Sequence, residues 1–292
     1  MNEVLHSQGL FRWLHTRTKK QGTKMDPKDK ITVPRLREMK IKGEKIVCLT
    51  AYDWIMASLL DAAGIELILV GDSGAMVFEG HKTTLPITID QMIYHTQAVS
   101  RGVQRALLIA DMPFLSFQVN PDHALQNAGR FLKEAGAEGV KIEGGEPMAE
   151  TVRKLTGVGI PVMGHLGLTP QSMYSFGGYV LRGEEKREAK KLKQDAKILE
   201  EAGVFSIVLE KIPASLAREI TASVSVPTIG IGAGPHCDGQ ILVTHDMLGL
   251  FETFKPKFVR QYAELAKTIQ KAAEEYKNDV KKKKYPSMEE SY

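Results

Sequence analysis

Gly139-Val140-Lys141-Ile142-Glu143-Gly144-Gly145 is the stretch from which the fold can be read. A short Val/Ile run that stops at glycines reads as a strand buried on both faces, the mark of a parallel sheet. Strand alternation places Lys141 and Glu143 on one face of it. Seven further runs of the same type lie at 46–50, 67–70, 106–110, 162–164, 206–209, 228–231 and 240–243. Helical patterns separate them at 54–63, 121–135, 186–202 and 214–224, each ending near Gly or Pro. Eight strands alternating with helices, with no second composition block, predict an α/β chain folded as one (β/α)8 TIM barrel. A doubly wound sheet would announce a nucleotide site by glycines after its first strand. Here the first strand is followed by Ala51-Tyr52-Asp53-Trp54.

The bulk numbers agree. A length of 292 residues suits a single barrel, and 43% hydrophobic with 25% charged residues is ordinary for a globular chain. The formal charge is only +4, and part of the excess is the run Lys281 to Lys284, read as a solvated helix end. Without basic residues interleaved with aromatics, a nucleic-acid partner is not expected. Cys48 and Cys237 form neither a disulfide framework nor a metal motif, which suits a reducing compartment, and a cytoplasmic location is expected. No apolar run reaches the roughly 20 residues that span a bilayer. Residues 1–30 are set apart as a disordered extension, with Met25 as an alternative start. Their Arg and Lys content leaves a transit segment open. Residues 31–292 form the expected catalytic domain, with a C-terminal helix and tail.

In such a barrel the active site lies at the C-terminal ends of the strands. Strand two ends in Gly71-Asp72-Ser73, strand three in Ala110-Asp111-Met112-Pro113 and strand four in Lys141-Ile142-Glu143. Strand five ends in Gly164-His165-Leu166-Gly167 and strand six in Leu209-Glu210-Lys211. Five adjacent strands thus bring ionisable groups to one mouth. Asp72, Asp111 and Glu143 would repel one another unless protonated or bridged by a cation. A few carboxylates with water and substrate oxygens suit Mg²⁺, and no His/Cys cluster favours zinc. Each residue also has an ordinary alternative. Asp72 can cap a helix, Asp111 can be a turn residue, and Lys141 and Glu143 can be a buried ion pair. Glu210 can be an exposed strand end, and His165 a hydrogen-bonded core histidine.

With Thr50-Ala51-Tyr52-Asp53, Thr84-Leu85-Pro86, Gly164 through Ser172, Gly230-Ile231-Gly232-Ala233-Gly234 and Asp238 through Val243, these strand ends resemble the ketopantoate hydroxymethyltransferase family from about Ile31 to the C-terminus. The resemblance implies a (β/α)8 barrel of the phosphoenolpyruvate/pyruvate type. It implies transfer of a hydroxymethyl group from 5,10-methylenetetrahydrofolate to 3-methyl-2-oxobutanoate, giving 2-dehydropantoate on the route to pantothenate and coenzyme A. It further implies one Mg²⁺ per subunit, held by Asp72, Asp111 and Glu143, and a metal-stabilised enolate. Keto-acid contacts would come from Asp72, Ser73, Asp111 and Lys141, with Glu210 as proton acceptor. The assembly implied is a homo-oligomer, commonly a decamer. Val180 stands where the family often has a basic residue, so any charge supplied by that loop is left open, as are the folate contacts.

Two other functions compete. A carbon–carbon lyase of the isocitrate-lyase-like group would use a cysteine base on a mobile loop, a setting that neither Cys48 nor Cys237 has. A non-catalytic phosphate-binding barrel would use Gly230 to Gly234, and would leave the five ionisable strand ends without a role.

Overall fold

The computed structural model describes residues 30–252 and 256–292. The expectation for residues 1–30 therefore lies outside the described residues, apart from Lys30. Eight parallel strands close into a barrel in sequence order, with β8 pairing back on β1. They are β1 (Ile46–Thr50), β2 (Leu67–Val70), β3 (Leu107–Asp111), β4 (Gly139–Glu143), β5 (Val162–Gly167), β6 (Ser206–Glu210), β7 (Thr228–Ile231) and β8 (Gly239–Leu242). Among the described residues no helix is long and apolar enough to cross a membrane.

The alternation of each strand divides its residues between two cores. Cys48, Leu67, Leu69, Leu107, Ile109, Met163, Val208, Ile229 and Ile241 fill the barrel interior. Ile68, Val70, Leu108, Ala110, Val140, Ile142, Val162, Ile207 and Leu209 face the surrounding helices. A parallel sheet covered on both faces needs both sets apolar, which is why its strands read as unbroken Val/Ile/Leu runs.

The strands run further than the apolar pattern suggests. β3, β4 and β6 each include the acidic residue expected just beyond them, and β5 continues through His165 to Gly167. The reason is parity. Once Leu107 and Ile109 point inward, Asp111 is the next inward position, and Val208 leads in the same way to Glu210. Register then sets neighbours across strands: Asp111 pairs with Lys141, Glu143 with His165, and Gly167 with Glu210.

The expected helices form as Trp54–Ala62, Pro121–Ala135, Lys186–Glu201 and Ala214–Ser223. Val33–Lys42, Ile89–Ser100 and Ala149–Gly157 are helices that the pattern reading did not mark. Ile89–Ser100 carries a complete capping box between Thr88 and Gln91. The helix Leu265–Lys281 buries none of its residues and leaves Ile269, Tyr276 and Val280 exposed.

Two glycines have opposite steric settings. A Cβ at Gly239 would overlap the carbonyl oxygen of Ile46, on the seam that closes the barrel. A Cβ at Gly129, inside a helix, would meet nothing within 4 Å. Gly239→Ala is expected to lower stability by about 1–3 kcal/mol through overpacking. Gly129→Ala is expected to raise it by about 0.5–1 kcal/mol through helix propensity. Urea unfolding midpoints check both, with slopes unchanged.

Candidate active site

The inward parity of β3 to β6 brings Asp111, Lys141, Glu143, His165 and Glu210 to one wall of a cavity of about 200 Å³ at the C-terminal end of the barrel. Asp72 and Ser73, in the turn after β2, join them. Every site residue singled out in the sequence therefore lines the same space. Asp72, Asp111, Lys141, Glu143 and His165 are all buried.

Asp72 does not cap the short helix that follows it. Ser73 occupies the cap position without a side-chain bond. The Asp72 carboxylate instead accepts from Gln171 Nε2 at 2.9 Å. Its own N–H donates to Asp111 Oδ2 at 3.0 Å. Gln171 also donates its backbone N–H to Glu143 Oε2 at 3.0 Å. One oxygen of each carboxylate is thus held by a protein N–H. Of the opposite oxygens, Asp111 Oδ1 and Glu143 Oε1 are buried and make no hydrogen bond of good geometry. Ser73 Oγ lies 2.8 Å from the Tyr52 hydroxyl. The sequence reading gave no role to Gln171 or Tyr52; no spacing rule singles out residues whose partners lie so far along the chain.

Lys141 Nζ sits 3.0 Å from Asp111 Oδ1 and 3.2 Å from His165 Nδ1. His165 spans the gap to two glutamates, with Nδ1 3.4 Å from Glu143 Oε1 and Nε2 3.2 Å from Glu210 Oε2. Neither the plain ion pair nor the satisfied core histidine describes this arrangement. Lys141 faces more than one partner, and Nε2 of His165 lacks a well-formed hydrogen bond.

Electrostatics follow from burying so many charges together. Desolvation raises the Asp72 carboxyl well above its ordinary range, and Asp111 and Glu143 raise it further. Desolvation also raises Asp111, opposed by the Lys141 ammonium. Burial alone would discharge Lys141, but Asp111, Glu143 and Asp72 outweigh it and hold the ammonium charged. Burial and Lys141 oppose a charge on His165, yet its bonds toward Glu143 and Glu210 push it up to about 9. A neutral ring accepts from Lys141 at Nδ1, whereas a charged ring offers one N–H to each glutamate.

Among the described residues, no three His, Cys, Asp or Glu side chains converge closely enough to bind a metal by themselves. Asp111 Oδ1, facing the Lys141 ammonium, and Glu143 Oε1, facing His165, are buried carboxylate oxygens without a well-formed hydrogen bond, and beside Asp72 they are of the kind a hard cation takes. Such an ion takes one or two carboxylates and completes its shell with water and substrate oxygens.

A ketopantoate hydroxymethyltransferase family profile matches residues 30–288. The chain belongs to the ketopantoate hydroxymethyltransferase family. It is 56% identical over 266 residues to the 3-methyl-2-oxobutanoate hydroxymethyltransferase of Chlorobium phaeobacteroides, covering 90% of this chain and 96% of that one. The same enzyme of Prosthecochloris aestuarii is 57% identical over 277 residues, covering 94% and 99%. Among solved structures, a phosphonopyruvate hydrolase superposes with TM-score 0.58 at 14% identity, covering 88% of this chain and 92% of that one. A 2,3-dimethylmalate lyase of the PEP mutase/isocitrate lyase superfamily superposes with TM-score 0.58 at 16% identity, covering 85% and 88%. These likenesses show the fold, a closed (β/α)8 barrel.

Membership of the ketopantoate hydroxymethyltransferase family agrees with where the competing features fall. Cys48 and Cys237 are buried thiols whose pKa burial raises, the opposite of a cysteine base. In the glycine loop after β7, a Cβ at Gly232 would strike the Phe258 ring and one at Gly234 would strike Ala214. Those glycines admit the protein's own side chains. Val180 is exposed and is not part of the cavity wall, whereas its neighbour Tyr179 is.

Asp246 also lines the cavity, and burial pushes its carboxyl from 3.8 up to about 6. A folded-state pKa above the unfolded one gives stability that is present below the unfolded value and lost as pH rises through the folded one. Asp246→Asn is therefore expected to raise the melting temperature above pH 6. The gain should shrink as pH falls through that value, as scanning fluorimetry across a pH series would show.

Proposed function

We propose that the protein transfers a hydroxymethyl group from 5,10-methylenetetrahydrofolate to 3-methyl-2-oxobutanoate, giving 2-dehydropantoate for pantothenate synthesis. The observation that carries this reading is the placement of Glu210 across His165 from the Lys141–Asp111 pair, in one cavity of a member of this family. The names of the relatives from Chlorobium and Prosthecochloris supply the acceptor.

The chemistry asks for three things. A weakly acidic C3–H must be removed, the resulting charge must be stabilised, and the carbon must meet an electrophile. Glu210 is the base: its carboxylate takes the C3 proton while the C–H electron pair moves into the enolate. Lys141 presents a fixed positive charge toward the developing oxyanion, inside a site where water screens it little. His165 lies against Glu210, with Nε2 3.2 Å from its Oε2. Ser73, tied to Tyr52, offers a hydroxyl to the keto acid beside Asp72. Water adds to the methylene carbon of the folate and both of its C–N bonds break, leaving tetrahydrofolate and a one-carbon unit at the oxidation level of formaldehyde. C3 of the enolate adds to that carbonyl carbon, and its oxygen takes the proton held by Glu210 to become the product hydroxyl.

Asp72 and Asp111, with Glu143 behind them, are the residues that would hold Mg²⁺. When bound, the ion supplies Lewis-acid polarisation of the keto acid's oxygens. Homo-oligomerisation, as large as a decamer, belongs to the same proposal. Its support is the helix Leu265–Lys281, whose exposed Ile269, Tyr276 and Val280 form an apolar stripe of the kind that assembly covers.

The decisive measurement is exchange of the C3 proton of 3-methyl-2-oxobutanoate in deuterated water, with and without Mg²⁺, before folate is added. Metal-dependent exchange is expected, and its absence on this acid would mean a different substrate. Glu210→Gln should slow exchange by roughly 10²–10⁴-fold, the usual range for a general base, while keto-acid binding by calorimetry persists. Asp111→Asn should raise the Mg²⁺ concentration needed for half-maximal exchange, and an unchanged metal titration would remove Asp111 from the metal site.

A further inference from the structure

Gln171 is buried in the turn Pro170–Ser172 after β5, and its bonds reach three other strand ends. Its Nε2 donates to Asp72 Oδ2 at 2.9 Å and to the Met112 carbonyl at 3.0 Å. Its Oε1 accepts from Gln118 Nε2 at 2.9 Å. Its backbone N–H donates to Glu143 Oε2 at 3.0 Å. The amide orientation follows from its neighbours. A flipped amide would set its oxygen against two acceptors and its nitrogen against a donor.

From this geometry we infer that Gln171 is a positioning residue for the metal-binding carboxylates. It touches neither the reacting carbon nor the proton. Its side chain holds one oxygen of Asp72, so the other can turn to the cavity. Its backbone does the same for Glu143. The backbone N–H of Asp72 donates to Asp111 Oδ2 at 3.0 Å, so the third carboxylate is held beside the two that Gln171 orders. Without the Gln171 donor the Asp72 carboxylate is free to rotate. Gln118 restrains Gln171 from outside and is itself only half-buried. The role rests on the metal-dependent reading above, and the tests separate the two.

The first test uses the full chain and Mn²⁺ alone, with binding followed by loss of the free-ion EPR signal. Gln171→Met removes the bonds to Asp72 and Met112 but keeps the backbone bond to Glu143. It should weaken Mn²⁺ binding by roughly 10–100-fold, the usual effect of removing a residue that orients a metal ligand. Gln118→Met should weaken it in the same direction by less. C3 exchange by Gln171→Met should recover as Mg²⁺ is raised, which a merely structural defect would not permit. Unchanged Mn²⁺ affinity in both variants, or lost exchange that excess metal does not restore, would overturn the role. Should Gln171→Met fail to fold, Gln118→Met decides: unchanged Mn²⁺ affinity there overturns the role. A wild-type protein that neither binds Mn²⁺ nor exchanges the proton would overturn the proposed function and this role with it. A wild-type protein that does both, beside variants that match it, would overturn the role alone.

Discussion

The ammonium of Lys141 lies within 3.0 Å of Asp111 and in the field of Glu143 and Asp72, with all four groups buried. Removing a charge from water costs several kcal/mol even after relaxation. Such a cluster therefore persists only where a rigid frame holds opposite charges in contact. The closed barrel is that frame. Its neighbouring strands have a single register, and a slip of one residue would turn Asp111, Lys141, Glu143 and Glu210 out toward the helices. The apolar rows below the cavity, Leu107 and Ile109 on β3 and Met163 on β5, hold that register. Core packing and site chemistry are thus two ends of the same inward-facing rows.

That continuity explains how much could be read from sequence. The eight strands and their order followed from eight apolar runs, and the acids at their ends followed from the barrel's habit of placing chemistry there. The apolar pattern ends β3, β4, β5 and β6 too early, because a charged or polar residue normally ends an apolar run. Here the charged residue is the last inward position. Ile89–Ser100 went unmarked although Thr88 and Gln91 carry the signature of a helix start. Gln171 lies within the motif Gly164 through Ser172, but no pattern gives its role. Its bond to Asp72 joins residues 99 positions apart, and only the folded barrel brings them together.

The site also shows how the cluster divides its labour. Asp72, Asp111 and Glu143 each keep one oxygen on a protein N–H. Glu210 has a different environment: its carboxylate faces His165 and its side chain is 16% exposed. A tethered carboxylate suits holding an ion. One that faces an imidazole at the edge of the cluster fits the proton acceptor proposed above. Acids that look alike in sequence are distinguished by what their second oxygen meets.

Gly167 sets the last of these positions. Its φ is +95°, and the carbonyl oxygen of Glu210 occupies the place where a Cβ would stand. The Leu168 N–H then bonds that same carbonyl at 2.9 Å. Glu210 is located by a missing atom on the neighbouring strand, and no side chain can be fitted there by adjusting rotamers. Drift in substrate preference, natural or engineered, is therefore channelled away from the inner wall. It has room at the outer wall, where Met76, Tyr179 and Phe258 line the cavity without holding any of the carboxylates.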